Sequence, residues 1–290
     1  MTSNALPGLD SLIQHIVDSA LAEDLGVGDP TTEALIPKDL IGRARVLVKA
    51  PGVVAGLPVA ALVFRRVDPN IKVTFLIDDG SHVADGEVVA LIEGPLRGIL
   101  QAERTALNFL QRMSGIATET AKYVEAVKDL PAHILDTRKT APGLRLLDKY
   151  AVRMGGGHNH RQNLGDGILI KDNHLAAGAL AGKGVKDVIA EARDKAPHTL
   201  KIEVEVETVE QAREAADAGA DIILLDNMGP EDMRQSVAAI GNRALSEASG
   251  GITLDTVRAV AETGVDLISV GSLTHSVRAL DISLDVEVGE

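Results

Sequence analysis

The sequence predicts an α/β protein in two parts: an α+β region with an antiparallel sheet, then parallel βα units that favour a (β/α) barrel, complete or incomplete. Before Pro131, alternating strand patterns surround one short helical pattern and precede a long one. After Pro131, short apolar runs alternate with helical segments, which is typical of parallel βα units. Strand starts at Asp221, Ala244 and Asp266 are 23 and 22 residues apart. This short period favours the barrel over an open doubly wound sheet, for which no dinucleotide fingerprint is present.

The composition excludes several classes of function. The chain has 290 residues, enough for two domains, and its 45% hydrophobic content includes only 3 Phe, 2 Tyr and no Trp. Few aromatic rings and a net charge of −13 argue against nucleic-acid and membrane partners. The lack of cysteine excludes disulfides, thiolate nucleophiles and cysteine-ligated metals. Without a signal-peptide pattern or an apolar run near the ~18 residues of a membrane span, we expect a soluble cytoplasmic protein.

The first part is predicted to begin with a helix. Apolar residues from Leu9 to Leu25 recur at spacings of three and four, the pattern of one helix face. The segment from Asp29 to Thr32 predicts a turn and helix cap, with a recognition surface as the alternative. The remaining elements are a strand at 43–49, a helix at 58–67, strands at 72–77 and 87–92, and a long helix at 97–127. This long helix is predicted to link the two parts, and the segment near Ser114 is a candidate for an interruption in it.

The second part contains the parallel strands and their covering helices. Strands are predicted near 133–136, 167–170, 202–205, 222–225, 244–247 and 267–270, and helices over 208–220, 230–240 and 253–265. Residues 281–289 alternate again and predict one more strand, which we expect to return to the first part.

Polar residues, glycines and one leucine stand at or directly after the predicted barrel strands, where the loops of a parallel barrel form the active-site rim. They are Thr137, Arg138, Lys139, Lys171, Asp172, Asn173, His174, Glu205, Asp226, Asn227, Ser249, Gly250, Gly251, Gly271, Ser272 and Leu273. The segment 136–174 is rich in Arg and Lys although the chain is strongly acidic. This contrast predicts a pocket for phosphates or carboxylates, and an ordinary charged surface is the alternative.

Two late loops predict a phosphate site. Ser249–Gly251 precedes a predicted helix, and Gly271–Leu273 forms a second glycine-serine turn after the last barrel strand. Barrels commonly hold phosphate in these two loops, through backbone N–H groups and a helix N-terminus. Either turn taken singly is equally compatible with packing or capping.

Side chains that suit a metal or a developing charge are also present. Glu205 and Asp226 on neighbouring strands predict a Mg²⁺ site, direct or through water, with salt bridges to nearby basic residues as the alternative. The histidines near the rim are poor candidates for a zinc site, because no HExxH motif or cysteine accompanies them. We expect His160, with Arg161, to donate to a carboxylate, and we expect Lys139 and Lys171 to act as point charges against developing negative charge.

Eight segments, in family order along nearly the whole chain, resemble quinolinate phosphoribosyltransferases. They are LAEDLGVGDPTT, AERTALNFLQRMSGIAT, DTRKTAPGLRLLDKYAVRMGGGHNHR, LIKDNH, EVEVE, ILLDNM, EASGGI and VGSLTHS. The resemblance implies an N-terminal α/β sandwich domain at 1–115, completed by the C-terminal tail at 276–290, and an incomplete (β/α) barrel at 116–275. It also implies a decarboxylating pentosyltransferase that converts quinolinate and phosphoribosyl pyrophosphate to nicotinate mononucleotide, with Mg²⁺ as cofactor.

The resemblance further implies a homodimer or higher homo-oligomer with shared active sites, and a role for each site residue. Arg104 would reach the quinolinate of a neighbouring subunit. Lys139, Lys171, Glu205 and Asp226 would be catalytic, with Glu205 and Asp226 at ribose hydroxyls or Mg²⁺. Thr137, Arg138, His160, Arg161 and Lys171 would surround the dicarboxylate, and Ser249, Gly250, Gly251, Gly271, Ser272 and Leu273 would hold the 5-phosphate. Two alternatives stay open: a related phosphoribosyltransferase for another pyridine acid, and a non-catalytic accessory member of the family.

Overall fold

The computed structural model describes residues 10–287 and divides the chain into two units. Unit 1 consists of the residues up to Ala121, Thr140–Gly156 and the residues from Thr274 onward. Unit 2 consists of Lys122–Lys139 and Gly157–Leu273. The predicted domain boundary at 115/116 lies six residues before this division, and Thr140–Gly156, which the prediction assigned to the barrel, groups with unit 1. Leu9 and the last residues of the predicted strand 281–289 lie outside the described residues.

The helices and strands follow the predicted order closely. The N-terminal elements are α1 (Asp10–Leu25), α2 (Pro30–Leu35), β1 (Ile41–Val48), β2 (Gly52–Val53), α3 (Leu57–Val67), β3 (Lys72–Phe75), β4 (His82–Val83), β5 (Val88–Pro95) and α4 (Leu96–Val127). The remaining elements are β6 (His133–Leu135), α5 (Arg145–Met154), β7 (Ile168–Ile170), α6 (Asp172–Leu180), α7 (Val185–Lys195), β8 (Ile202–Val206), α8 (Val209–Asp217), β9 (Ile222–Asp226), α9 (Pro230–Ile240), β10 (Leu245–Ser249), α10 (Val257–Ala261), β11 (Leu267–Ser269), α11 (Ser272–His275) and β12 (Ile282–Glu287).

Unit 1 is built on a four-stranded antiparallel sheet. Its order is β12-β1-β5-β3, so the C-terminal strand completes the N-terminal sheet, as predicted. Alternation along β1 buries Ala44, Val46 and Val48 and exposes Arg43. Helix α3 buries an apolar face that includes Val63 and Phe64. This sheet and the parallel sheet of unit 2 confirm the predicted fold class.

Two capping carboxylates fix loops of unit 1. Asp29 accepts the Thr32 N–H at 3.0 Å and so caps α2, and its hydrogen bonds with Thr32 lower the pKa of Asp29. The predicted helix cap is thus confirmed. At α3 the cap residue is Gly56, and Asp79 from another loop accepts the Gly56 and Leu57 N–H groups at 2.8 and 3.0 Å.

Unit 2 is built on a six-stranded parallel sheet of order β6-β11-β10-β9-β8-β7. Its first two strands lie at opposite edges and, among residues 10–287, do not pair with each other, so the barrel is incomplete. Small side chains let the covering helices approach closely: α8 buries Ala212, Ala215 and Ala216. No helix within the described residues is long and apolar enough to cross a membrane.

Two local features of unit 1 differ from the prediction. Helix α4 runs without interruption through Gly115, where a Cβ would lie 2.3 Å from the Arg278 carbonyl oxygen. Glycine therefore permits close packing at this position and does not break the helix. Helix α5 was not among the predicted helices. Its Asp148 is fully buried and accepts two hydrogen bonds from Arg112 of α4, at 2.9 and 2.8 Å, so tertiary pairing supports the helix.

Candidate active site

A cavity of about 570 Å³ lies at the carboxyl ends of the strands of unit 2. Parallel pairing aligns these strand ends, which is why residues distant in sequence meet there. The cavity is lined by the predicted site residues Thr137, Arg138, Lys139, His160, Arg161, Lys171, Glu205, Asp226, Ser249, Gly250 and Gly251, together with Leu169, Leu224, Asn227, Glu247 and Ser269.

The other predicted residues lie outside the lining of this cavity. Arg104 is exposed on α4 in unit 1. Leu273 is fully buried, and Gly271 and Ser272 are half-buried at the start of α11. The predicted second phosphate loop therefore stays a prediction.

The residues after β7 divide between the cavity and a helix start. Lys171 lines the cavity, whereas Asp172 and Asn173 are exposed in the first turn of α6. His174 Nδ1 accepts the Lys171 backbone N–H at 2.9 Å. His174 therefore fixes the main chain that presents Lys171.

Lys171 and Glu205 form an ion pair at the cavity wall. Lys171 Nζ lies 3.2 Å from Glu205 Oε2, with the Lys171 side chain 47% exposed and that of Glu205 14% exposed. The salt bridge that was the alternative to metal binding is thus present for Glu205. A half-exposed ammonium can also turn toward an incoming anion, because its stem is flexible.

Two arginines concentrate positive charge on one side of the cavity. Burial is the main cause that lowers the pKa of Arg161, the positive charge of Arg138 lowers it further, and Glu203 opposes the shift. Two guanidinium groups close enough to influence each other favour a ligand with more than one carboxylate. The arrangement suits a planar diacid better than a monoacid.

Asn227 joins the end of β9 to the glycine loop after β10. It has a φ of 54°, its N–H donates to the Ser249 carbonyl at 2.9 Å, and its Nδ2 donates to Asp226 Oδ2 at 2.7 Å. The side chain packs directly over Gly250, where an added Cβ would lie 2.3 Å from Asn227 Oδ1. Asp226 and the loop at 249–251 are therefore held in one arrangement.

Gly250→Ala is expected to impair the glycine loop selectively. Its φ of +97° strains any side chain, and the new Cβ would collide with Asn227. We expect phosphoribosyl pyrophosphate to bind at least ~10-fold more weakly in calorimetric titrations, a loss of about 1.4 kcal/mol. Gly241→Ala, also at positive φ but with no heavy atom within 4 Å of its added Cβ, is the matched control and should leave binding unchanged. Equal binding by Gly250→Ala and the parent would contradict this account.

A buried polar cluster around His160, which lies partly in the cavity wall, was missed by sequence reasoning. His160 Nε2 lies 3.2 Å from Glu203 Oε2 and 3.6 Å from Glu247 Oε1. Ser269 donates a hydrogen bond to Glu247. Glu203, Glu247 and Ser269 are each at most 5% exposed. Burial is the main cause that raises the pKa of Glu247, and the negative charge of Glu203 raises it further. The positive influence of His160 and the hydrogen bond from Ser269 act in the opposite direction.

A signal for this cluster was present in the sequence. Glu203 and Glu205 stand two apart on β8, so both side chains point to the same face of the sheet. Glu247 and Ser269 lie on β10 and β11, where an apolar interior was expected. The expectation of an apolar barrel core hid these residues.

Two sets of side chains have the chemistry of metal ligands. Glu205 and Asp226 are half-buried carboxylates on adjacent strands and fit Mg²⁺, which prefers oxygen ligands and commonly shares them with substrate phosphates. The potential ligand atoms of His160, Glu203 and Glu247 lie within 4.8 Å of one another. The close spacing of this second set is explained by the position of His160 Nε2, which lies 3.2 Å from Glu203 and 3.6 Å from Glu247.

Comparison with known proteins agrees with the geometry. Family models for the quinolinate phosphoribosyl transferase N-terminal and C-terminal domains match residues 29–114 and 116–285. The probable nicotinate-nucleotide pyrophosphorylase (carboxylating) of Bacillus subtilis is 44% identical over 94% of this chain and 93% of its own length. A mitochondrial quinolinate phosphoribosyltransferase (decarboxylating) of Nicotiana tabacum is 43% identical over 95% of this chain and 82% of its own.

Solved structures give the same result. The nicotinate-nucleotide pyrophosphorylase from Francisella tularensis superposes with a TM-score of 0.90 at 37% identity, covering 96% of this chain and 97% of the other. The resemblance predicted from the sequence segments is confirmed. The chain belongs to the quinolinate phosphoribosyltransferase family.

Proposed function

We propose that the protein transfers the phosphoribosyl group of phosphoribosyl pyrophosphate to quinolinate and releases pyrophosphate and CO₂, giving nicotinate mononucleotide for de novo NAD biosynthesis. The observation that carries this proposal is the single cavity that gathers a cationic wall, two strand-end carboxylates and a glycine loop. These three features match a planar diacid, a ribose and a phosphate in that order.

Quinolinate would bind at the cationic wall. Arg138 and Arg161 can each grip a carboxylate with two parallel N–H groups, and Thr137 and Lys139 lie beside them. The pyridine nitrogen carries its own lone pair, so its attack on C1 of the ribose needs no deprotonating base. This explains why the cavity functions without a nucleophile triad.

The phosphoribosyl half would bind between the carboxylates and the glycine loop. As the bond from C1 to pyrophosphate breaks, positive charge grows on the sugar and negative charge on the leaving group. Glu205 and Asp226 can stabilise the sugar, and Lys139 and Lys171 the leaving group. The loop Ser249–Gly251 would hold the 5-phosphate through backbone N–H groups.

Decarboxylation then follows from the new bond. Once the ring nitrogen is alkylated, its positive charge stabilises the electron pair left on C2 when the C2–carboxylate bond breaks and CO₂ departs. A proton then replaces CO₂ at C2. The protein's contribution at this stage is to hold the ring while excluding other reactions.

Mg²⁺ is proposed as the cofactor, held by Glu205 and Asp226 together with substrate oxygens. Their half-burial and oxygen chemistry support this assignment. Mg²⁺ would neutralise charge on pyrophosphate and so make it a better leaving group.

A homodimer or larger assembly with shared sites is also proposed. Arg104 is exposed on α4 of unit 1 and is not among the residues that line the cavity, and its proposed place is at the quinolinate of a neighbouring subunit. We retain the cytoplasm as the proposed location. The tobacco relative named above is mitochondrial, and cell fractionation is the measurement that decides for this chain.

The principal alternative is a related enzyme that uses a monocarboxylate pyridine. The paired arginines disfavour it, because two neighbouring guanidinium groups are better matched by two carboxylates than by one. A non-catalytic accessory role is disfavoured because Lys139, Lys171, Glu205 and Asp226 all line one cavity.

The test is an assay of the purified protein with quinolinate, phosphoribosyl pyrophosphate and Mg²⁺, following CO₂ and nicotinate mononucleotide. We expect turnover that EDTA abolishes and excess Mg²⁺ restores. With nicotinate, kcat/KM should fall at least ~100-fold, because the site then lacks one carboxylate partner. Faster turnover with nicotinate would favour the alternative enzyme, and no turnover with either acid would overturn the proposed reaction.

A further inference from the structure

We propose that Glu203, Glu247 and Ser269 are positioning residues for the quinolinate-binding Arg161, and that they act through His160. The proposal rests on the proposed function. It gives His160 a different role from the predicted one: the imidazole supports the arginine and does not itself contact the substrate.

The two ring nitrogens of His160 are both engaged inside the protein. Nδ1 accepts the backbone N–H of Arg161 at 2.7 Å. A backbone N–H can only donate, so Nδ1 carries a lone pair and the ring proton sits on Nε2. That Nε2–H faces Glu203 at 3.2 Å and Glu247 at 3.6 Å. Neither nitrogen is then directed at a ligand in the cavity.

The buried acids make this ring orientation obligatory. Glu203 and Glu247 are 5% and 1% exposed, and a carboxylate at that depth is costly unless it accepts hydrogen bonds. Ser269 donates to Glu247, and His160 Nε2–H donates to Glu203 and faces Glu247 at 3.6 Å. Turning the ring away would leave the Glu203 carboxylate without this donor, so the buried acid holds the imidazole in place.

The main chain at His160 is fixed independently. Its N–H donates to Asp136 Oδ1 at 2.8 Å, and Asn159 Nδ2 donates to Asp136 Oδ2 at 2.6 Å. Asp136 is fully buried directly after β6. Contacts of the ring and of the main chain thus hold His160 from two sides. Arg161 therefore follows directly after a rigidly held residue.

The consequence concerns the direction of the Arg161 guanidinium. Its backbone N–H is held by His160, and Glu203 acts on its charge. A guanidinium that is already oriented loses less conformational freedom when it grips a carboxylate in two places. The cluster should therefore strengthen quinolinate binding through Arg161, and Glu203, which is not among the residues that line the cavity, can act only in this indirect way.

The tautomer is tested by NMR of protein labelled with ¹⁵N-histidine, with His160→Gln used to assign the resonances. We expect the neutral Nε2–H form without ligand and the same form with saturating quinolinate. An Nδ1–H tautomer, or a doubly protonated ring on quinolinate binding, would sink the proposal. The ligand-free measurement needs no substrate, so it still tests the cluster if quinolinate proves not to bind, an outcome that would count against the proposed function alone.

The energetic link is tested by calorimetric binding to Ser269→Ala and Glu247→Leu. Both should bind quinolinate ~10-fold more weakly and phosphoribosyl pyrophosphate within ~2-fold of the parent, because the first ligand depends on Arg161. Glu207→Gln, exposed just after β8, is the matched control and should leave both affinities unchanged. Thermal melting reports folding, and Ser269→Ala, the milder change, carries the test if Glu247→Leu melts early. Unaltered quinolinate affinity in the folded variants, or equal losses for both ligands, would refute the link.

Discussion

Lys171→Ala is expected to lower kcat/KM with quinolinate by about 10³-fold, a loss of roughly 4 kcal/mol of transition-state stabilisation. Lys171 is a half-exposed cation of the cavity wall, 3.2 Å from Glu205 and with a 47% exposed side chain. Its charge opposes the negative charge that develops as pyrophosphate departs. Its removal also takes away the ion-pair partner of Glu205, the carboxylate placed where the sugar becomes positive. The variant therefore changes the charge at the leaving group and the charge balance at the sugar together.

The measurement is steady-state kinetics with both substrates, accompanied by thermal melting. Because the Lys171 side chain is half-exposed, we expect the melting temperature to move little. Lys183→Ala is the matched control: it removes another half-exposed lysine that pairs with an acid, Glu191, outside the cavity. Its kcat/KM should stay within ~2-fold of the parent. A Lys171→Ala protein that is folded and nearly fully active would remove this lysine from the mechanism.

The rim of the barrel could be predicted from the sequence because its geometry follows from a general property of parallel sheets. Once the strands are located, the residues at their carboxyl ends must converge, and Lys171, Glu205, Asp226 and Ser249 do so. The same logic also placed Gly271–Leu273 at the rim, and these three residues are not among those that line the cavity. Whether a residue after a strand faces the cavity or turns into the next helix depends on loop conformation, and Leu273 turns into the core.

Other features were hidden because tertiary contacts override local patterns. Helix α5 has a sequence rich in charge, and its Asp148 is stabilised by Arg112, which is 36 residues away in the chain. The acids below the rim are hidden for a similar reason. Glu247 occupies an interior strand position that periodicity assigns to an apolar side chain, and the hydrogen bond from Ser269 and the nearby His160 offset part of the cost of its burial.

Mixing inactive Arg104→Ala subunits with inactive Lys171→Ala subunits is expected to restore about a quarter of the parent activity. If each site combines the barrel of one subunit with Arg104 of another, a hybrid dimer contains one intact site, formed by the Arg104→Ala barrel and the Lys171→Ala partner. Random pairing makes about half of the dimers hybrids, each with one working site of two. Arg104 is exposed on α4, so its removal should not unfold the protein.

A second mixture separates sharing from general rescue. The double variant Arg104→Ala with Lys171→Ala offers neither a working barrel nor an arginine, so its hybrids with the parent should be inactive. The parent activity in that mixture should therefore drop to about half of the amount added, since half of the parent subunits enter hybrids. Native mass spectrometry of differently tagged subunits verifies that hybrids form. Verified hybrids of the two single variants that stay inactive would show that Arg104 does not complete a neighbour's site, and the dicarboxylate would then be held by Arg138 and Arg161 of one chain alone.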